Sequence, residues 1–292
     1  MHKNTSMSHP GTVPTPGQKP TLLEMHPLPA PVGFEEASGA LAYRMTNDAM
    51  FHIVFEACPD ALKGLIGALL HLHPEEIISI EVTNPVTFDT VIYSKLFVLD
   101  LKILLNGNSV LNIEMQVESL SFWRERSIGY LCRAFDNLNR GDGYLNVKPA
   151  IQIGILDFDL APDDIMFYST YYLLNELTHK KYSDKLRLSV LQLRQTEHAT
   201  EEDRAWHLDL WAKFFRATTW EEVFMIAEKD PYIANAAQTL YRACVDERFR
   251  NFCEGREEGE KTLRTLQMQV QQKEAENARL RAELEALKQN KK

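Results

Sequence analysis

The 292-residue sequence has no long apolar run, few cysteines and no excess of positive charge. A membrane-spanning helix needs about 18 or more consecutive apolar residues, so the sequence predicts no transmembrane segment. The first 20 residues, MHKNTSMSHPGTVPTPGQKP, lack the apolar centre of a signal peptide and are typical of a disordered tail. We therefore expect a cytoplasmic protein with no membrane partner.

The four cysteines are too scattered for a zinc site. None of them forms a Cys-x-x-Cys pair or a Cys/His ligand run, which structural zinc sites require. Their positions instead indicate buried free thiols in a reducing compartment. They are Cys58, Cys132, Cys244 and Cys253.

Acidic residues outnumber basic residues by 41 to 32, which gives a formal net charge of -9. This balance argues against a broadly basic surface that coats nucleic acid. A local basic groove can still bind DNA, and acidic metal ligands themselves add to the negative count. Charge alone therefore leaves DNA binding open.

The most informative stretch is KLFVLDLKILLNGNSVLNIEMQV, residues 95–117. Two apolar-rich runs flank Asn106-Gly107, and Asn-Gly between alternating segments is the strongest short-range signal for a β-hairpin. Side chains alternate between the two faces of a strand, so Glu114 and Gln116 project from the same side. In the first run, Asp100 and Lys102 occupy alternate positions that face one side of the strand, and leucines and isoleucines face the opposite side.

Pairing of the two runs would bring Asp100 and Glu114 onto one polar face. Two carboxylates there make a site for a hard cation such as Mg²⁺, which takes oxygen ligands. The alternative is an antiparallel sheet with one wet face, which also shows acidic and amide residues at alternate positions. The hairpin pattern alone leaves both interpretations open.

The order Asp100, then Glu114-x-Gln116, resembles the core of the PD-(D/E)xK nuclease superfamily, with Gln116 where lysine is usual. Within that superfamily the chain resembles the recombination-promoting nucleases, which are also described as transposases. The likeness covers roughly residues 44–260. Its other segments are TNDAMFHIVF (46–55), RSIGYLCRAFDNLNRGDGY (126–144), KPAIQIGILDF (148–158) and GREEGE (255–260).

The resemblance implies an α/β fold with a restriction-endonuclease-like mixed β-sheet core flanked by helices. We expect a disordered tail over residues 1–42, the nuclease-like core over 43–195, a helical appendage over 196–255 and a coiled-coil tail over 256–292. Strands separated by helices in the sequence pattern agree with a mixed α/β core.

Element patterns give finer expectations. Two helices should follow Asp48, divided by Pro59, with Thr46 or Asn47 as the cap of the first. A helix that starts after Phe122 should end at a glycine, either Gly141 or Gly143. A third helix of the C-terminal region should span residues 234–253. Extended segments are predicted over residues 77–83, 86–93, 150–158, 165–173 and 186–193.

The resemblance also implies roles for the site residues. Asp100 and Glu114 would bind Mg²⁺, with Mn²⁺ as a substitute, and the metal would activate a water for attack on the DNA backbone. The amide of Gln116 can orient that water but carries no charge. Asp48 is either a third catalytic acid or a carboxylate that stabilises the start of its helix through the helix dipole.

Arg126 has two possible partners. Its planar guanidinium suits a phosphate of the DNA. It can equally form a structural ion pair with Glu114, Glu118 or Glu125, and this second interpretation is slightly favoured.

Residues 263–287 have apolar residues at intervals of three and four, as in a coiled-coil seam. Parallel pairing of two such tails predicts a homodimer, whereas a single frayed helix is the alternative because fewer than four heptads are marginal alone. The seam positions are Leu263, Leu266, Val270, Lys273, Asn277, Leu280, Leu284 and Leu287.

The resemblance implies a Mg²⁺-dependent DNA endonuclease that promotes recombination or a transposition-like rearrangement. The alternative is a catalytically inactive DNA-binding or assembly protein that keeps the nuclease fold and dimerises through its tail.

Overall fold

A computed structural model describes residues 21–84, 100–119, 122–161 and 165–289. At its centre is a six-stranded sheet in the order β1-β2-β3-β4-β6-β5. Strands β3, β4 and β6 run parallel, and β1, β2 and β5 are antiparallel to their neighbours. This confirms the predicted α/β core with a mixed sheet. The strands are β1 (Ile80–Val82), β2 (Leu101–Leu105), β3 (Ser109–Gln116), β4 (Ala150–Leu156), β5 (Tyr168–Tyr171) and β6 (Leu186–Gln192).

Strands β2 and β3 form the predicted hairpin, and Leu101 pairs with Ile113 in an antiparallel ladder. In the turn, Asn106 and Gly107 have φ angles of 51° and 67°. Asparagine and glycine tolerate this left-handed region better than other residues do. The Asn106 side chain also accepts hydrogen bonds from two backbone N–H groups just before β1. Local turn chemistry thus sets the register of the hairpin. The predicted extended segment 86–93 and residues 95–99 lie outside the described residues.

Helix α4 (Trp123–Phe135) crosses from β3 to the parallel strand β4 and covers one face of the sheet. The contact is close at Gly154, where an added Cβ would lie 2.3 Å from Cζ2 of Trp123. Only a residue without a side chain lets the indole sit directly on β4.

Helix α4 ends at Phe135, before the predicted stop at Gly141 or Gly143. The reason is a side chain that the glycine rule does not consider. Asn137 Nδ2 donates hydrogen bonds to the carbonyls of Ala134 and Lys148, and its Oδ1 accepts one from the N–H of Lys148. These bonds turn the chain toward β4 earlier than predicted.

The opposite face of the sheet is covered by helices from both ends of the chain. Residues of the sheet, such as Ile113 and Ile153, share one apolar core with Phe51, Phe215 and Leu240 of these helices. The predicted appendage therefore packs as part of the main core. The helices are α2 (Asp48–Ala57), α3 (Pro59–Leu70), α5 (Glu201–Ala205), α6 (Leu208–Arg216), α7 (Trp220–Ala227) and α8 (Pro231–Val245), and short 3-10 turns lie at Phe34–Glu36, Pro74–Glu76, Tyr144–Asn146 and Leu193–His198.

The start of α2 follows the sequence prediction. Asn47 caps it by accepting a hydrogen bond from the N–H of Met50, and Pro59 occupies the first turn of α3. Proline is favoured there because the first N–H groups of a helix have no intrahelical partner.

Residues 21–42 differ from the predicted disordered tail. They include α1 (Leu22–Met25), and Leu28 is buried against the core. Arg242 of α8 donates hydrogen bonds to the carbonyls of Leu28 and Pro29. Proline-rich composition had suggested disorder, but this segment obtains its contacts from a helix about 200 residues away. Residues 1–20 lie outside the described part of the chain.

Helix α9 (Glu247–Gln289) is a single 43-residue helix. It begins after a break at Asp246, within the span predicted as one helix over residues 234–253. Its first turns are buried through Phe249 and Phe252. Farther along, Leu266, Val270 and Leu280 are each more than half exposed, at 51%, 57% and 53%. Coiled-coil pairing of this segment stays a prediction. Within the described ranges, none of the helices has the length and apolar character needed to cross a membrane.

Candidate active site

Asp100 immediately precedes β2, whose first residue, Leu101, pairs with Ile113 of β3. Extending this register by one residue would set Asp100 opposite Glu114, and the negative charge of Asp100 does act on Glu114. Both carboxylates lie on the polar parity, on the face that α4 covers, because residues of the other parity are buried in the main core. The two acids that the sequence singled out are therefore neighbours on one face.

Glu114 is fully buried, and this changes its acidity. Burial raises the pKa of Glu114 from 4.5 to about 7, because the low-dielectric surroundings disfavour the charged form. The positive charge of Arg126 opposes the rise, and the negative charge of Asp100 adds to it. The interaction with Asp100 agrees with the pairing that the register implies.

Arg126 of α4 forms an ion pair with Glu114, with Nη2 2.8 Å from Oε1. Glu114 was one of the three partners that the sequence predicted for this arginine. Both carboxylate oxygens of Glu114 are buried, and neither accepts a hydrogen bond from the residues that the structure describes, so the contact with Arg126 is an ion pair only. A buried carboxylate oxygen without a partner is costly in a folded protein, and it marks a position where a cation or a water would be stabilised.

Gln116 lies two residues farther along β3, on the same face, and is buried. Its Nε2 donates a hydrogen bond of 3.1 Å to the carbonyl of Glu118. Its Oε1 is buried and has no hydrogen-bond partner in the described part of the chain. The amide thus holds the loop that follows β3 and keeps one acceptor atom in the same region as Glu114.

The loop after β3 is also held by the long C-terminal helix. Arg264 Nη2 of α9 lies 3.0 Å from Oε1 of Glu118. The residue that receives the Gln116 hydrogen bond is therefore tied to the start of the predicted coiled-coil segment. Sequence reasoning did not predict this contact, because the two residues are far apart in the chain.

Asp48 has a different environment from the pair on the sheet. It is buried in the first turn of α2 and forms an ion pair with Arg256 of α9, whose Nη2 binds Oδ2 and whose Nε lies 3.3 Å from Oδ1. The structure therefore assigns Asp48 a structural contact, and its predicted role as a third acid stays a prediction.

Arg126, Tyr130 and Arg133 form a basic and aromatic stripe on α4, at spacings of four and three residues. Both guanidinium groups lie over the Tyr130 ring, 5.2 Å and 5.6 Å from its centroid. Tyr130, Arg133 and Lys102 also line a cavity of about 480 Å³ that reaches Asp100. Of these three residues, only Arg126 was predicted from the sequence. Helical spacing from Arg126 would also have identified Tyr130 and Arg133.

The family of this chain follows from a comparison with known protein families. The model for the PD-(D/E)XK nuclease family transposases matches residues 45–273. The chain belongs to this family. No curated protein and no solved structure matches the chain.

The residues predicted as the (D/E)xK part of the motif, Glu114, Met115 and Gln116, are consecutive on β3, and their correspondence to the family's motif stays a prediction. The departure from lysine puts an uncharged amide at the third position. Charge near the pair is supplied instead by Arg126, from a helix that covers the sheet. An arginine cannot be deprotonated in a protein, so it serves as a fixed positive charge and not as a base.

The donor set fits a hard divalent cation only in part. Asp100 and the unpartnered Oε2 of Glu114 are the oxygen ligands that Mg²⁺ prefers, and Mg²⁺ is usually bound by one or two carboxylates with several waters. Across the described ranges, however, no group of three or more His, Cys, Asp or Glu side chains is arranged to hold a metal. A site here would therefore depend on two carboxylates, on water and on the DNA phosphate.

Proposed function

We propose that this member of the PD-(D/E)XK nuclease family transposases is a metal-dependent DNA endonuclease that promotes DNA recombination. The observation that carries the proposal is the carboxylate pair of Asp100 and Glu114, in which Glu114 is fully buried and neither of its oxygens has a hydrogen-bond partner in the described structure. A cytoplasmic location fits the four free cysteines.

Asp100 and Glu114 are the residues that would hold Mg²⁺, or Mn²⁺ in its place. The bound ion would lower the pKa of a water and neutralise charge on the scissile phosphate. Arg126 forms an ion pair with the Glu114 carboxylate at Oε1, and neither oxygen has a hydrogen-bond partner in the described structure. Gln116 Oε1 can accept a hydrogen bond from a water at the site and so orient it, but the amide cannot titrate.

The basic residues near the pair support DNA as the substrate. Arg133 and Lys102 are exposed at the cavity that reaches Asp100. Cationic side chains of this kind contact phosphates and position a nucleic acid without reading its sequence. A local group of cations can serve this purpose even though the whole chain is acidic.

Two features near the carboxylate pair favour a second function. Glu114 already has a positive partner in Arg126, at 2.8 Å, and Gln116 replaces the lysine of the motif. These features also suit an inactive DNA-binding or assembly protein that keeps the nuclease fold. Dimerisation through α9 is part of both proposals, because Leu266, Val270 and Leu280 are exposed at positions of the predicted coiled-coil seam.

Nicking of supercoiled plasmid separates the two functions. We would compare the wild type with Asp100→Ala and Glu114→Ala in Mg²⁺, in Mn²⁺ and in EDTA. A matched control is Glu81→Ala, which removes an exposed carboxylate from β1 of the same sheet.

A nuclease should cut only with metal, lose cutting in both site variants and keep it in the control. Cutting that survives both substitutions would refute the site assignment. DNA binding without cutting by any of the proteins would favour the inactive binding protein.

A further inference from the structure

The cavity beside Asp100 contains a buried polar atom that the proposed chemistry does not use. Asn112 lies on β3 between the walls of this cavity and is only 4% exposed. Its Nδ2 donates a hydrogen bond of 2.8 Å to Oε1 of Gln152 on β4. Its Oδ1 is buried and makes no hydrogen bond to any part of the chain that the structure describes.

A buried, unsatisfied amide oxygen on a residue that lines a cavity favours a polar ligand at that residue. Leaving such a group buried without a partner costs free energy, which a ligand that donates a hydrogen bond would recover. The same holds if the Asn112 and Gln152 amides are both turned over, since one acceptor and one donor then still remain unused. In either orientation of the Asn112 and Gln152 amides, one amide donor and one amide acceptor remain unused.

The surroundings of Asn112 narrow the ligand class. The cavity volume of about 480 Å³ is in the range of small-molecule sites. Tyr130 and Ala134 of α4 form an apolar and aromatic wall, and the cations Lys102 and Arg133 are exposed at the edge. A flat, partly apolar ring with a polar edge and an attached phosphate matches this combination.

We propose that this cavity binds one unpaired nucleobase of the DNA strand, with Asn112 reading its polar edge and with Lys102 and Arg133 holding a neighbouring phosphate. This inference rests on the proposal that the chain binds DNA. An asparagine amide pairs well with adenine, through the amino group and a ring nitrogen. The base must be single-stranded or extruded, because a base that is stacked and paired in a duplex cannot enter a cavity on the protein.

The test compares two single-stranded probes with equal charge. One is a fluorescent 12-mer of deoxyadenosine, and the other is a 12-mer of abasic residues with the same phosphates. Binding is measured by fluorescence anisotropy in EDTA, so that neither metal nor cleavage contributes.

Two variants remove the base site in different ways. Asn112→Leu removes the amide, and Ala134→Phe fills the cavity from α4 without touching the buried amide pair. The matched control is Cys132→Phe, which adds the same ring at an exposed position of α4 that lines a different groove. Thermal unfolding checks that each variant is folded, and Ala134→Phe decides the question if Asn112→Leu is unstable.

The wild type and Cys132→Phe should bind the deoxyadenosine probe about 5- to 10-fold more tightly than the abasic probe, the scale of one good base contact. In Asn112→Leu and Ala134→Phe this ratio should fall toward one, while the affinity for the abasic probe stays unchanged. A wild-type ratio of one, no binding of either probe, or a ratio retained in the folded variants would overturn the base site. Plasmid cutting is scored separately, so a failed nuclease proposal and a failed base site give different results.

Discussion

Replacing Glu114 by glutamine should alter how the stability of the protein depends on pH. Glu114→Gln keeps the size of the side chain and removes its ability to ionise. In the wild type the folded state holds this proton more tightly than the unfolded chain does, because burial raises the pKa of Glu114 from 4.5 to about 7. Between these two pKa values the unfolded state binds fewer protons than the folded state does. The free energy of unfolding therefore falls as pH rises.

The magnitude follows from the two pKa values. The contribution of Glu114 is fully present below pH 4.5, and most of it is lost by the time pH exceeds 7. Between pH 5 and pH 8 the wild type should lose about 2–3 kcal/mol relative to Glu114→Gln, at roughly 1.4 kcal/mol for each pKa unit. The other titrating groups are common to both proteins and cancel in the comparison.

The assay is urea unfolding in EDTA at pH 5 and pH 8, with free energies from linear extrapolation. Glu81→Gln is the control, since this exposed glutamate lies on the same sheet but outside the site. A wild-type minus Glu114→Gln difference that is the same at both pH values, or that moves in the wild type's favour at pH 8, would refute the argument. At pH 8, added Mg²⁺ should stabilise the wild type but not Glu114→Gln, because a ligand that binds only the folded state raises its stability.

Three further substitutions test the packing and the assembly. Gly154→Ala should lower the free energy of unfolding in urea by about 1–3 kcal/mol, because the added Cβ would clash with the Trp123 indole above β4. In the control Gly129→Ala the added Cβ has no atom within 4 Å, so the stability of the protein should not fall. Arg256→Ala should lower the free energy of unfolding by about 3–5 kcal/mol, because it breaks the buried ion pair with Asp48. A decrease of less than about 1 kcal/mol would contradict a buried ion pair. Val270→Glu should convert the proposed dimer to a monomer in light scattering with the core still folded, and an unchanged mass would contradict pairing through α9.

Local patterns in the sequence predicted much of the fold around the site. The Asn106-Gly107 turn, the alternation in β3 and the cap at Asn47 depend on residues within a few positions of one another, and the structure confirms them. The order of several segments along the chain, among them Asp100 and Glu114-x-Gln116, indicated the family. The end of α4 was not predictable in this way, because Asn137 competes with the glycines through bonds to Lys148.

The sequence by itself determined which side chains share a face of the hairpin, because strand geometry has a period of two and the turn sets the register. Only the tertiary structure decided their chemistry. The burial of Glu114, its pairing with Arg126 and the contact of Asp48 with Arg256 arise between elements that are distant in the chain. Such contacts depend on how helices pack on the sheet, and packing sets the dielectric surroundings from which the pKa of a carboxylate follows.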